Sequence, residues 1–399
     1  MTKIMDGVFY TGVQNPNLRV FDVIMKTDYG TSYNSYVVKG RNKTALIEAA
    51  HNTFFEYYVD NITAALDGAT PDFLVLNHTE PDHSGCVDRL LALFPNLTLV
   101  VSQAAAIYIK NITNRADLNL LIVKDGDTID LGGKTLRFIN APFLHWPDSM
   151  FTWLPEDKIL FSCDFLGCHF CEPQIFDGKI AYTDQYWHAF RYYYDCIFGP
   201  FKPYVLKWLD KIAGLDIDCI CNSHGPVLTR AGYITQAIAL YREWSTPQTR
   251  AHKLSPIFYC TAYGNTERIA GAVAEGMRRV IPDAEIGLYN IIEHDMATLS
   301  GLLNESDAFL VGALTINREA VPPIWQLLGN IEAVNIVKRP VALFGSFGWS
   351  GEAFPHVAQR LESMKLNVFE RQFKINFVPS DNDLADAASF GADFASTLI

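Results

Sequence analysis

Apolar residues recur along this chain with two different spacings. From residue 7 to residue 48 the runs GVFYTGV, LRVFDVIM, SYNSYVVKG and TALIEA are rich in Val, Tyr, Phe and Ile, with turn residues between them, and predict β-structure. Over 53–66 the spacing changes: Phe54, Tyr57, Tyr58, Ile62 and Leu66 fall on one side of a helix. Phe73-Leu74-Val75-Leu76 predicts a buried strand, followed by helix 87–94, strand 97–101 and helix 104–112. Strands follow at 120–123, 128–131 and 136–140, then helix 204–212, strand 219–222 and helix 231–244. The polar, Pro-containing stretch Ser245-Thr246-Pro247-Gln248-Thr249 reads as a linker. After it the pattern restarts as plain strand–helix alternation, with strands at 255–260, 285–290, 308–311, 340–344 and 374–378, helix 267–280 and further helices between. Two domains are expected, 1–249 and 250–399, both α/β, the second a doubly wound parallel sheet.

Composition narrows the class. Hydrophobic content of 49% against 19% charged residues suits a folded chain with a sizeable core. A net charge of −12 argues against sequence-independent binding to nucleic acid or to an anionic membrane. The opening MTKIMDGVFY lacks a signal-peptide core and no run approaches membrane-spanning length, so a cytoplasmic location is expected. The eight cysteines are scattered, which predicts reduced thiols, and the lone Cys168–Cys171 pair carries little weight as a metal or redox motif. The aromatic run of Tyr186, Trp187, Phe190, Tyr192, Tyr193 and Tyr194 has few basic neighbours, so it reads as core or subunit interface rather than a platform for bases.

The candidate chemistry concentrates after the strand at 73–76. The segment LNHTEPDHSG holds His78, Glu80, Asp82 and His83, and His145, Asp164 and His224 each follow a further apolar run. Ligands at strand ends on one side of a sheet can converge on one point. A lone His or Asp at a strand end is more often a satisfied hydrogen-bonding group, but H-x-E-x-D-H with three later partners in order is a stronger signal. The pattern resembles the metallo-β-lactamase superfamily, with Glu80 where its zinc hydrolases carry a second His. A carboxylate there shifts preference from zinc toward iron or manganese. That substitution is the mark of the flavodiiron proteins (A-type flavoproteins), which the chain resembles along nearly its whole length.

The C-terminal part carries the rest of the resemblance. Its first strand–helix turn contains Thr261, Ala262, Tyr263, Gly264, Asn265 and Thr266. Hydroxyls and a Gly at a helix start suit a phosphate, and there is no G-x-G-x-x-G or Walker lysine. The loop resembles the FMN-phosphate loop of flavodoxins. Thr315, Ile316 and Asn317 in one later loop, and Ser346, Phe347, Gly348, Trp349 and Gly351 in another, are expected to flank the flavin, with Trp349 stacking over it.

What the resemblance implies is specific. The fold is a metallo-β-lactamase-like αββα sandwich followed by a flavodoxin-like domain. His78, Glu80 and His145 hold one iron, Asp82, His83 and His224 the other, and Asp164 bridges them. His83 is the ligand that swings away in some family members. His169 is assigned to the pocket rather than to a metal, and Asp148 to a turn or a carboxylate behind a ligand. The implied activity is four-electron reduction of O2 to water, with reduction of NO to N2O as the alternative. The family pairs chains head to tail, as a dimer or a dimer of dimers. No rubredoxin or flavin-reductase module follows, so a separate donor is expected, rubredoxin or reduced coenzyme F420. Two competing readings are a zinc hydrolase fused to a flavodoxin, which Glu80 opposes, and an electron carrier with a dead lactamase-like scaffold, which the intact ligand set opposes.

Overall fold

The structure is a computed structural model describing residues 1–247 and 249–399. The chain divides into two compact units, Met1–Pro247 and Gln248–Ile399.

In the first unit most of the predicted strands form two sheets; apart from these, the run at 18–25 makes the short hairpin Val20–Phe21/Met25–Lys26, and Val13–Asn15 pairs with Thr31–Tyr33. The seven-stranded sheet runs in the order Thr2–Met5, Val8–Tyr10, Tyr36–Lys39, Thr44–Ile47, Phe73–Val75, Thr98–Val101, Leu120–Ile122. Its last four strands are mutually parallel. The six-stranded sheet runs Thr128–Asp130, Thr135–Asn140, Met150–Leu154, Ile159–Cys163, Cys219–Asn222, Leu228–Thr229. Side chains alternate strictly between faces, as a period of two demands. Tyr36, Val38, Ala45, Ile47, Val75 and Val100 meet Phe138, Met150, Ile159, Phe161, Cys219 and Cys221 in the core between the sheets. Val37, Leu46, Leu74, Leu99 and Val101 face outward onto the helices Phe55–Leu66, Val87–Leu93 and Ala105–Thr113. On the other side Phe151, Leu160 and Ile220 pack against Thr183–Tyr193, Lys202–Ile212 and Ile234–Ser245. The result is an αββα sandwich whose central strands are buried on both faces.

The aromatic run belongs to this outer core: Tyr186, Phe190, Tyr193, Tyr194 and Phe198 are all buried, and a single π turn spans Tyr194–Phe198. The helix expected from residue 231 begins at Ile234, because the buried Asp177 carboxylate accepts the Tyr233 N–H at 2.7 Å as well as Thr229 N–H at 2.8 Å. Ser245 closes that helix, so the linker starts later than expected; Gln248 of that stretch lies outside the described residues.

The main sheet of the second unit is ordered Leu288–Asn290, Ile257–Tyr259, Phe309–Ala313, Pro340–Phe347, with Asn367–Val368 and Phe373–Asn376 on the last strand. All its pairings are parallel. In chain order this is the 2-1-3-4-5 arrangement, whose ligand crevice lies where the order reverses, at the ends of Ile257–Tyr259 and Phe309–Ala313. The strand expected over 285–290 pairs only from Leu288; Gly287, which has no side chain to pack, separates it from an isolated bridge at Glu285. Helices Asn265–Val280 and Asp381–Ser396 share one face of the sheet. They touch backbone to backbone: a Cβ on Gly276 would stand 1.8 Å from the Ala388 carbonyl oxygen, and one on Gly391 2.1 Å from that of Val273. Among the described residues no helix is long and apolar enough to cross a membrane.

Candidate metal centre

The strand Phe73–Val75 ends in the centre of its sheet, and the chain beyond it turns polar. Asn77 fastens this end to the opposite sheet. Its carbonyl accepts Met150 N–H at 2.8 Å, and its side-chain oxygen accepts the Thr152 hydroxyl at 2.7 Å. His78 follows, then Glu80 caps the short helix Pro81–Ser84 that carries Asp82 and His83. Asp164 leaves the end of Ile159–Cys163, and His224 the end of its parallel neighbour Cys219–Asn222. Asn34 and Asn222 tie these two loops together: Asn34 Nδ2 donates to Asn222 O and Gly225 O, and Asn222 Nδ2 to Leu166 O and Pro226 O, all between 2.8 and 3.2 Å. His145 comes from the connection between Thr135–Asn140 and Met150–Leu154.

All seven side chains named from the sequence meet at one place. His78 Nε2 and His145 Nε2 lie 3.1 and 3.3 Å from Glu80 Oε2. His224 Nε2 lies 3.1 Å from Asp82 Oδ2, and His83 Nε2 3.5 Å from Asp82 Oδ1. Asp164 stands between the two groups. Its Oδ1 is 3.1 Å from His83 and 3.3 Å from His224, and its Oδ2 is 3.7 Å from His145 and 3.9 Å from His78. His83 therefore points into the cluster.

This donor set fits metal ions better than it fits itself. Two donors each about 2.1 Å from one ion and about 90–100° apart lie roughly 3.0–3.2 Å from each other, close to the shortest separations here, 3.1 Å for His78–Glu80, His224–Asp82 and His83–Asp164. Both Asp82 oxygens are buried without a hydrogen bond, and among the described residues no Lys or Arg pairs with Glu80, Asp82 or Asp164. A buried anionic cluster of this kind needs a cation. Protons on the imidazoles otherwise supply it. Burial alone lowers His78, but Asp148 and Glu80 outweigh it and raise the imidazole to about 10. Burial likewise lowers His224, and Asp164 with Asp82 raises it to about 9. Burial raises Asp164, yet His83 and His224 bring it well below the usual carboxylate range.

The far nitrogens are held as metal-binding imidazoles require. His78 Nδ1–H donates to Asp148 at 3.1 Å, a carboxylate that also accepts Thr79 N–H and its hydroxyl at 2.8 and 2.7 Å. His224 Nδ1–H donates to Ser32 O at 2.7 Å. His169 stands beside the cluster, its ring 5.0 Å from that of His224 and 4.9 Å from that of Tyr193. Its Nδ1 is 2.8 Å from Thr31 Oγ1 and its buried Nε2 has no partner. Burial and then His224 hold it well below the usual histidine range. With Tyr29, His188 and Tyr193 it lines a pocket of about 270 Å³. Ser32 and Glu48, which also touch the centre, carry no mark in the sequence. Each follows an ordinary strand residue, and only the fold brings it to a histidine. Cys168 and Cys171 belong to none of the clusters that could hold a metal among the described residues.

In the second unit the three loops named for a flavin gather at the ends of the central strands. Gly264 opens helix Asn265–Val280 with φ +79° and no side-chain cap, so its first N–H groups are free for an anion. The Thr261 hydroxyl is buried without a partner. Thr266 Oγ1 lies 3.5 Å from Ser346 Oγ, which brings the first loop against the third. Thr315 Oγ1 accepts Ala353 N–H at 3.4 Å; Ile316 and Asn317 lie at the short hairpin Thr315–Ile316/Glu319–Ala320. Tyr263 and Trp349 are 90% and 92% exposed. Bare aromatic rings beside an uncapped helix start suit a planar ring carrying a phosphate.

Comparison with known proteins agrees with this layout. Residues 31–225 match the family described as ODP family beta lactamase, and residues 257–391 match flavodoxin. The chain is 51% identical over 397 residues to the flavo-diiron protein FprA2 of Clostridium acetobutylicum, covering 99% of both chains. The chain belongs to the flavodiiron proteins. These are oxidoreductases whose flavodoxin part binds FMN and which carry a non-haem diiron centre. The rubredoxin oxygen:oxidoreductase of the anaerobe Desulfovibrio gigas superposes with a TM-score of 0.70 at 28% identity, covering 100% of this chain and 98% of that one. The anaerobic nitric oxide reductase flavorubredoxin of Aeromonas hydrophila is 32% identical, covering 98% of this flavodiiron protein and 79% of the relative.

Proposed function

We propose that this flavodiiron protein reduces O2 to water. The observation that carries the reading is the pair of ligand triads astride Asp164. His78, Glu80 and His145 hold one iron, and Asp82, His83 and His224 the other. Asp164, with one oxygen toward each triad, bridges them. When bound, the two ferrous ions and reduced FMN together supply the four electrons that take O2 to two waters, or two electrons that join two NO into N2O and water. The residues' share is to fix the geometry and exclude bulk water. Thr261, Ala262, Tyr263, Gly264, Asn265 and Thr266 hold the FMN phosphate. Thr315, Ile316, Asn317, Ser346, Phe347, Gly348, Trp349 and Gly351 flank its ring. His169 shapes the gas pocket as a neutral imidazole.

The names of the relatives support both gases, oxygen in Desulfovibrio and nitric oxide in Aeromonas. An external donor reloads the flavin; the Desulfovibrio protein's name favours rubredoxin, with reduced F420 the second choice. Head-to-tail pairing of two chains, alone or as a dimer of dimers, brings the flavin of one to the irons of the other. The division at residues 249 and 250 assigns the irons to the first domain and FMN to the second.

The test is gas consumption by anaerobically reduced protein loaded with iron and FMN, O2 and NO compared in one electrode chamber. Rapid O2 uptake without peroxide is the expected result. Faster NO uptake would make it a nitric oxide reductase. Uptake of neither gas, with reducible flavin, would sink the reading.

A further inference from the structure

Each histidine of the loop after strand Phe73–Val75 turns Nε2 to the centre and Nδ1 to a carboxylate. Behind His78 it is Asp148. Behind His83 it is Glu48, whose Oε2 lies 3.6 Å from His83 Nδ1.

Glu48 is held as few surface acids are. It is 1% exposed and sits at φ +59°, a left-handed backbone that is strained for a residue with a side chain. Its N–H donates to Val75 O at 2.9 Å and its carbonyl accepts the Tyr58 hydroxyl at 3.1 Å. Oε1 accepts Asn77 N–H at 3.0 Å, and the next residue, Ala49, donates its N–H to His83 O at 2.9 Å. One short segment thus grips the ligand loop at both ends. Among the described residues Oε2 is left buried without a hydrogen bond, and no Lys or Arg pairs with Glu48. A buried carboxylate oxygen is costly unless a donor meets it, and the donor facing this one is His83 Nδ1–H. Cys163 Sγ lies 3.7 Å from the same nitrogen, but a thiol is a weak acceptor.

We propose that Glu48 is the positioning residue that makes His83 a ligand. By facing Nδ1–H as its acceptor, Glu48 Oε2 fixes the tautomer whose Nε2 lone pair faces Asp82 and Asp164, and it stops the ring from turning away. The role presupposes the two-iron centre proposed for this chain.

The test uses the full-length chain and Co(II) as a spectroscopic probe. Glu48→Gln keeps an acceptor for Asn77 but turns an amide N–H toward Nδ1. Wild type is expected to bind two Co(II) per chain. Glu48→Gln should weaken one of them by about 10–100-fold, with a changed visible ligand-field band. In a His83→Ala background Glu48→Gln should add less than about twofold, since the pair acts as a unit. An unchanged affinity in Glu48→Gln, or an equal loss with and without His83, overturns the proposal. A second measurement needs no variant: in Zn(II)-loaded wild type with 15N-labelled histidine, His83 should carry its proton on Nδ1 and the metal on Nε2. The opposite tautomer, or a His83 bound to no metal, overturns it as well. Wild type that fails to bind a metal pair would instead sink the two-iron reading itself, and the Glu48 role with it.

Discussion

Asp164→Asn separates a bridged pair of metals from two neighbouring sites. The native carboxylate is 2% exposed. Its Oδ1 faces His83 and His224 at 3.1 and 3.3 Å, and its Oδ2 faces His145 and His78 at 3.7 and 3.9 Å. Asparagine has the same outline but one oxygen and no charge. With its oxygen toward His83 and His224, its NH2 is turned on His78 and His145, whose Nε2 lone pairs a metal needs. One triad keeps a neutral ligand and the other gains a donor in the wrong place. Removing one member of a buried ionic set costs about 3–5 kcal/mol, which is roughly 10²–10⁴-fold in affinity at about 1.4 kcal/mol per decade. Anaerobic Fe(II) titration against a chromophoric chelator reads that loss directly. One iron per chain should remain, and gas consumption should fall below detection. FMN content and flavin reduction should be unchanged, because the flavin loops stand on the other unit's own core. Two tightly held irons and wild-type turnover would refute the bridging role.

Asp148→Asn should weaken metal binding by about 10–100-fold, one charge-assisted hydrogen bond of about 1.5–3 kcal/mol being lost from His78; the same chelator competition checks it. Loading the metal-free protein near pH 7.5 should release protons, because His78 and His224, raised to about 10 and about 9 by their carboxylates against the effect of burial, must give them up. An indicator dye in weak buffer measures the release. Since both folded values lie above the ordinary histidine value of about 6.5, the stability they lend the metal-free protein is complete below that pH. It is lost as pH rises through about 9 to 10, which melting curves across that range detect. Trp349→Ala should weaken FMN about 2–10-fold through lost stacking, read by flavin fluorescence. Gly276→Ala forces a methyl onto the Ala388 carbonyl, an overpacking of about 1–3 kcal/mol; the second unit should melt roughly 2–12 °C lower, at about 2–4 °C per kcal/mol.

The seven candidate ligands were legible because each is chemically conspicuous where it stands. His78, Glu80, Asp82 and His83 crowd one polar loop, and His145, Asp164 and His224 each end an apolar run. The strand pattern showed as clearly, since Val37 and Val38, or Leu74 and Val75, serve opposite faces of one sheet. What periodicity does not carry is which strand lies beside which. Ile159–Cys163 pairs in parallel with Cys219–Asn222 across more than fifty intervening residues, and that pairing sets Asp164 beside His224. Glu48 was hidden for the same reason. It follows Thr44–Ile47 like any polar residue that closes a strand, and its meaning comes from a histidine far along the chain. The aromatic run of the outer helix was readable as packing but not as core or interface, because burial in one chain and burial between two draw on the same residues.

The interlocked glycines of the flavodoxin unit also bear on the order of synthesis. Helix Asn265–Val280 begins at the loop proposed for the phosphate, yet its flank is closed by Asp381–Ser396, made about a hundred residues later. So long-range a closure is slow and comes late. The lactamase-like unit is finished while the proposed flavin cradle is still open, and a chain arrested before Gly391 should take up iron but show no flavin absorbance.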